Sequence, residues 1–349
     1  MTIRVLVIDD SQLIREVMKS ELTREGDIEV VGLAEDPIIA RQMVKDLSPD
    51  VLTLDIEMPN MNGLDFLSKV MRLRPMPVVM VSTLTKKGAS ETLLALELGA
   101  VDFVAKPGAN LEGGIAAFGQ EVRRKVRAAA KADVQGRAMR APVPQIKLSS
   151  AAHVPDGTLI AIGASTGGVD AIREVLMRLP VDSPPVVIAQ HMPEGFTERF
   201  AQRLDELVPM KVMQAEDRMP VRRGNVYIAK GGFHFRLEKS SGELKCRLSD
   251  DELVSGHRPS VDALFHSVAK IVGASAVGAI LTGMGKDGAK GLLAMREAGS
   301  YTVGQSRDSA LVYGMPRAAA EIGAVWEECA VERIAEKLLN GFSARRSAA

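Results

Sequence analysis

Two long stretches of this chain alternate short apolar runs with amphipathic segments, and that alternation restricts the fold more than any other feature. Strands separated by helices pair in parallel through crossovers, so each stretch predicts an α/β domain built on a largely parallel sheet. The first stretch has apolar runs at Ile3–Ile8, Glu29–Leu33, Val51–Leu54, Val78–Val81 and Asp102–Ala105. Between the first two, Leu13, Ile14, Val17, Met18 and Leu22 recur at helical spacing. Asp36-Pro37 supplies an N-cap followed by a proline at the first helical position, and Gly99 stands where a helix C-terminus is expected. The second stretch opens with Thr158–Ile162 and continues with strand-like runs at Val186–Ala189, Val226–Ala229, Phe233–Leu237 and Ala276–Leu281. No long internal repeat is visible.

With 349 residues, 46% apolar and 25% charged, the chain has enough core for two domains and too little polarity for a disordered polymer. Asp133 to Val154 holds Gly136, Pro142, Pro144 and paired serines without a sustained period, which is linker composition. The expected division is a first domain over 1–130, a linker over 131–153, a second domain over 154–344 and a frayed tail over 345–349.

Basic and acidic residues number 44 each, and this net charge of zero argues against a nucleic-acid binder. The balance is uneven: residues 1–110 hold 12 basic and 17 acidic groups, residues 111–153 hold 8 and 3, and the remainder holds 24 of each. The middle excess comprises Arg123, Arg124, Lys125, Arg127, Lys131, Arg137, Arg140 and Lys147. We read it as a solvated face on a helix through Gln120–Ala130 plus a soluble tether; contact with an acidic surface, including the first domain across the boundary, is the alternative. Two cysteines, Cys246 and Cys329, without metal-ligand spacing support neither a disulfide framework nor a zinc site. The N-terminus runs straight into a strand-like segment, and no apolar stretch reaches the length of a membrane span. A cytoplasmic monomer without membrane insertion is expected.

In an open parallel sheet, residues just past the carboxyl ends of the strands converge on one edge. In the first domain these positions hold Asp9-Asp10, Asp55, Ser82 and Lys106-Pro107. Clustered carboxylates repel unless a cation joins them, and Mg²⁺ accepts such oxygens together with a phosphoryl oxygen. Asp55 then becomes a candidate phosphoacceptor, with Lys106 and Ser82 placed for the phosphoryl oxygens. Val7-Ile8-Asp9-Asp10-Ser11, Asp55-Ile56-Glu57-Met58-Pro59 with Gly63 downstream, Val79-Met80-Val81-Ser82 and Phe103-Val104-Ala105-Lys106-Pro107 resemble the receiver domain of two-component response regulators. The resemblance covers residues 1–125. It implies a flavodoxin-like (βα)5 fold, phosphorylation of Asp55, Asp10 as a metal ligand with Asp9 beside it, a backbone carbonyl ligand from Glu57, and a switch pair of Ser82 and Phe103.

In the second domain Gly163-Ala164-Ser165-Thr166-Gly167-Gly168 lies between a strand-like run and the helical pattern Val169, Ile172, Val175, Leu176, Leu179. It satisfies G-x-S-x-G, in which glycines allow a tight strand-to-helix turn under an exposed hydroxyl. A capping serine and a phosphate-cradling loop compete with a nucleophile. A short-chain dehydrogenase would need Tyr with Lys four residues on; Tyr227, Tyr301 and Tyr313 are followed at that distance by Gly231, Gln305 and Arg317. For a nucleophile, His191 is the histidine directly after an apolar strand-like run, and Asp287 lies in the Gly-rich loop Leu281–Gly288 after another. His153 falls in the linker, His234 in a hairpin strand, and His257 and His266 flank a helix start, where packing or surface roles are expected.

Spacing alone does not bring Ser165, His191 and Asp287 together. Gly163–Gly168, Gln190-His191-Met192, Leu281–Gly288 and Gly304-Gln305 through Tyr313-Gly314-Met315-Pro316 resemble the catalytic domain of the chemotaxis protein-glutamate methylesterase (CheB) family over residues 157–340. The resemblance implies a doubly wound, mainly parallel α/β domain with a Ser165, His191, Asp287 triad and the backbone N–H of Met284 as an oxyanion donor. It further implies methyl-accepting chemoreceptors as substrates, glutamine deamidation as a second activity, a chemotaxis histidine kinase as phosphodonor, and relief of receiver inhibition by phosphorylation. The alternative is a response regulator whose second domain only binds a protein partner.

Overall fold

A computed structural model describes residues 2–58, 61–83, 85–107, 111–134, 151 and 154–342. The chain divides into two compact units, Met1–Arg140 and Ala141–Ala349.

The first unit alternates β1 (Ile3–Ile8), α1 (Gln12–Thr23), β2 (Ile28–Ala34), α2 (Pro37–Leu47), β3 (Val51–Asp55), α3 (Gly63–Leu73), β4 (Val78–Ser82), α4 (Lys86–Glu97), β5 (Asp102–Ala105) and α5 (Leu111–Ala129). The sheet order is β2-β1-β3-β4-β5, all parallel, which is the flavodoxin-like topology. Its central strands are largely apolar because helices cover both faces; Val5 to Ile8, Leu52, Leu54 and Val78 to Val81 are buried. The helix boundaries follow local chemistry. Asp36 accepts from the N–H groups of Ile38 and Ile39 ahead of Pro37, and Gly99 takes φ +107° just after α4.

Helix α5 corrects the expectation of a solvated basic face. It is longer than the sequence indicates, and Arg123 and Lys125 on it are buried. Arg123 binds the Glu21 carboxylate at 2.8 Å and Glu25 at 2.8 Å, Arg127 binds Asp27 and Glu25 at 2.7 and 2.6 Å, and Lys125 lies 3.1 Å from Asp102. These cations answer the acidic excess of their own unit. Arg137, Arg140, Lys147 and His153, with most of the expected linker and the tail, lie outside the described residues.

The second unit contains β6 (Leu159–Ala164), α6 (Gly168–Leu176), β7 (Val186–Gln190), α7 (Thr197–Leu207), β8 (Lys211–Gln214), β9 (Asn225–Ile228), β10 (His234–Ser240), β11 (Glu243–Ser249), α8 (Val261–Ile271), β12 (Ala276–Ile280), α9 (Ala289–Glu297), β13 (Tyr301–Gln305), α10 (Met315–Glu321), β14 (Glu327–Cys329) and α11 (Val331–Gly341). Seven strands form a sheet in the order β14-β13-β12-β6-β7-β9-β8, with every pairing parallel. β10 and β11 form a separate antiparallel hairpin turned at Ser241-Gly242, both at positive φ. The winding proceeds outward from β6 through β7 and later from β12 in the opposite direction, so the reversal lies between β6 and β12. Cys246 and Cys329 are buried free thiols. No described helix is long and apolar enough to cross a membrane.

Candidate functional site

In each unit the chemistry-bearing residues stand where the winding reverses. β1 and β3 are neighbours in the first sheet, and Asp9 follows one while Asp55 ends the other. Lys106, just past β5, bridges them, with Nζ 2.9 Å from Asp9 Oδ2 and 2.8 Å from Asp55 Oδ2. Burial pushes the Asp55 carboxyl up to about 6; Lys106 pulls it down and Asp9 adds to the rise. Burial also works against the charge on Lys106, but the facing Asp55 and Asp9 carboxylates outweigh it and raise its pKa.

One carboxylate oxygen each from Asp9, Asp10 and Asp55 lies within 4.8 Å of the others. Three hard oxygen donors so spaced, with Asp10 exposed to the entering ion, suit Mg²⁺. The Glu57 N–H donates to the Asp55 carboxylate, and its side chain lies 3.7 Å from Lys87 Nζ. Ser82 is buried at the end of β4, and its Oγ donates to the Gly88 carbonyl in α4, not to the carboxylates. Phe103 is buried under the Lys125 ammonium, 4.7 Å from the ring centroid.

In the second unit Ser165 follows β6, His191 follows β7 and Asp287 lies in the loop after β12, three adjacent strands spanning the reversal. His191 Nδ1 is 3.1 Å from Ser165 Oγ, and His191 Nε2 is 2.7 Å from Asp287 Oδ2. The Asp287 carboxylate only accepts, so Nε2 carries the proton and Nδ1 offers its lone pair to the serine hydroxyl. This is the reverse of the chymotrypsin arrangement, in which Nε2 meets the serine.

Asp287 is seated at the N-terminus of α8. Its Oδ1 accepts from Ser260 Oγ at 2.8 Å and Asp262 N at 3.0 Å, and its Oδ2 accepts from Val261 N at 2.8 Å. Burial favours the neutral acid, but His191 and these backbone donors prevail and lower the pKa to about 2. The carboxylate therefore stays ionised and fixes the imidazole.

The serine turn is set by its neighbours. Gly167, at φ +76°, caps α6 in the left-handed region, and Gly283 approaches so closely that a Cβ there would stand 2.7 Å from the Ser165 Cβ. The Ser165 N–H donates to Thr282 O at 3.0 Å, and Gln190 Nε2 donates to Ser165 O at 3.0 Å, which ties the ends of β6, β7 and β12 together. Gly283 holds Val312, Gly314 and Met315 by backbone bonds, leaving the next amide, Met284 N–H, without an acceptor among the described residues.

The structure thus brings Ser165, His191, Asp287 and the Met284 loop together in one unit, and Asp9, Asp10, Asp55 and Lys106 in the other. His234 is buried in β10 with Nε2 2.9 Å from Glu252 O, and burial lowers its pKa. His257, expected in a packing or surface role, packs against the candidate site itself. Its ring stacks on His191 with centroids 3.8 Å apart and planes 5° from parallel. Ser260 adds a functional contact that the expected site lacks, and Pro259-Ser260 ahead of the apolar face of α8 is the N-cap signal in the sequence that points to it.

These features define a response regulator whose output module has serine-hydrolase geometry. A family model for the CheB methylesterase matches residues 160–338, and one for the response regulator receiver domain matches residues 5–113. The chain is 54% identical over 345 residues to the protein-glutamate methylesterase/protein-glutamine glutaminase 1 of Caulobacter vibrioides, covering 99% of both chains. It is 50% identical over 343 residues to the protein-glutamate methylesterase/protein-glutamine glutaminase of Escherichia coli K12, covering 98% of this chain and 97% of that one. The crystal structure of the Thermotoga maritima CheB methylesterase catalytic domain matches 53% of this chain and 99% of its own, at 36% identity and a TM-score of 0.52. The chain belongs to the CheB methylesterase family.

Proposed function

We propose that this protein is a phosphorylation-controlled protein-glutamate methylesterase and protein-glutamine glutaminase of the cytoplasm, acting as a monomer on methyl-accepting chemoreceptors. The observation that carries the reading is the hydrogen-bonded series from Ser165 through His191 to Asp287 at the winding reversal of a parallel sheet. That series favours catalysis over an output domain that only binds a partner, which has no need of a histidine oriented by a buried carboxylate.

In this reading the Ser165 hydroxyl attacks the side-chain carbonyl of a glutamyl methyl ester while His191 Nδ1 takes its proton. The Met284 N–H stabilises the oxyanion, and the ionised Asp287 stabilises the imidazolium. His191 returns the proton to departing methanol. Water, deprotonated by the same nitrogen, then releases glutamate from the acyl-enzyme and restores the serine. An amide substrate follows the same course with ammonia as the leaving group.

Asp55 accepts a phosphoryl group from a histidine kinase, and Lys106 and Ser82 bind its oxygens. Asp9, Asp10, Asp55 and the Glu57 carbonyl would hold Mg²⁺, which supplies charge neutralisation between carboxylates and phosphoryl oxygens. Phosphorylation repacks the Ser82 and Phe103 pair and releases the inhibition that the receiver, 1–130, which the linker 131–153 joins to the catalytic domain 154–344, exerts on that domain.

Methanol release from methylated receptor membranes, with and without a phosphodonor, tests the whole reading. Ser165→Ala is expected to abolish release while Asp55 still takes up phosphate, and Asp55→Asn is expected to remove stimulation alone. Hydrolysis retained by Ser165→Ala overturns the nucleophile.

A further inference from the structure

The receiver unit carries a groove between α2 and α3 that no part of either proposed site uses. Its cavity volume is about 550 Å³. Phe66, Val70 and Val44 form the floor, while Ile38 and Leu73 stand on its walls at 66% and 71% exposure, unusual for large apolar side chains on so small a domain. Arg41, Lys45, Lys69, Arg72 and Arg74 also line it, and no carboxylate does.

None of these five cations meets an acidic group among the described residues. Arg74 is held by the Val44 carbonyl and Ser48 Oγ, and Lys69 lies 3.6 Å from the Met61 sulfur. The side chains of Arg41, Lys45 and Arg72 make no polar contact among the described residues. This basic rim sits on a region, residues 1–110, with five more acidic than basic groups. On α5 of the same unit, by contrast, the cations Arg123, Lys125 and Arg127 are all paired with carboxylates.

We propose that this groove docks a short acidic segment of another protein, with one or two large apolar or aromatic side chains between Ile38 and Leu73 and flanking carboxylates on the five cations. Charge complementarity selects the occupant. No stretch of this chain outside the described residues supplies it, since 135–150 and 343–349 contain Arg137, Arg140, Lys147, Arg345 and Arg346 and no Asp or Glu. A concave site of this volume matches a few buried side chains, for which cavities of about 300–1,000 Å³ are usual. An anionic membrane is disfavoured by the concavity and by the acidic excess of residues 1–110 as a whole. None of the groove's lining residues belongs to the carboxylate cluster or the catalytic triad, so docking there is a recruitment contact and not a catalytic one.

The test pans the full-length protein against a phage-displayed random dodecapeptide library, with Arg41→Glu/Lys45→Glu protein as counter-selection. Enriched peptides are expected to place Asp or Glu on either side of Trp, Phe or Leu. Fluorescein-labelled copies should lose at least about tenfold in affinity on Arg41→Glu/Lys45→Glu and on Ile38→Ser/Leu73→Ser, and weaken with added salt. Far-UV circular dichroism and an unchanged melting midpoint verify that the variants fold. Enriched peptides without carboxylates, wild-type affinity retained by either variant, no enrichment, or cosedimentation with phosphatidylglycerol vesicles that the charge reversal abolishes would each overturn the proposal.

Discussion

Asp287 is one carboxylate doing two jobs, capping α8 and orienting His191, and its protonation state links them. Folding lowers its pKa, so it stabilises the native state above about pH 4, and that contribution is lost as the pH falls through the ordinary carboxylate range toward about 2. The amount is on the order of 2 kcal/mol, since each pKa unit corresponds to about 1.4 kcal/mol. Urea titrations of wild type and Asp287→Asn at pH 5 and pH 2 are expected to converge at the lower pH; a constant difference removes the assigned linkage. At Gly283, Ala would press its Cβ to 2.7 Å from Ser165. Misplacing the nucleophile by a fraction of an ångström is expected to cut kcat about a hundredfold, read as methanol release, with little change in KM. Ser165, His191 and Asp287 were legible as candidates because each follows an apolar run, where a parallel sheet gathers side chains, but their assembly into one triad was readable only through the resemblance to the CheB family. The His257 stack and the Ser260 bond were not, because they depend on the segment before α8 meeting His191 and Asp287, which are distant in sequence.

Among the elements, α5 departs furthest from its sequence pattern. Its cations look like a solvated stripe because their carboxylate partners, Glu21, Glu25, Asp27 and Asp102, are distant in sequence. Arg123 and Glu21 are both largely buried, so Arg123→Ala leaves the Glu21 carboxylate inside the α1 to α5 contact with only the exposed Arg24, 3.6 Å away, as a cationic partner, and is expected to destabilise the receiver by about 3 kcal/mol. Arg123→Met with Glu21→Met removes both charges and should recover most of that loss. Denaturant melts followed by receiver fluorescence probes decide between them; equal losses for single and double variants would make shape, not charge, the cause. The five receiver strands were readable from their apolar runs. β8, β11, β13 and β14 were not, because Lys211–Gln214, Glu243–Ser249 and Glu327–Cys329 are polar edge or hairpin strands, and Tyr301–Gln305 mixes small and polar residues.

At the scale of the whole molecule, two units with separate sheets and cores should unfold in two calorimetric transitions. Mg²⁺ is expected to raise the midpoint of the receiver transition alone, because a ligand stabilises only the unit that binds it, and chelation should reverse the shift. A single transition insensitive to Mg²⁺ counts against both the separation and the metal site. The domain order was legible from two rounds of alternation, but the strand order that creates each crevice was not, since β6 pairs with β12 across most of the second unit. That long-range pairing has a consequence for biosynthesis. On the ribosome the receiver strands and α5 are all available once residue 129 has emerged, whereas Ser165 meets its orienting carboxylate only after β12 and Asp287 have been made. During synthesis the receiver can therefore assemble well before the catalytic domain, and the serine is first poised for attack when the phosphoacceptor unit already exists.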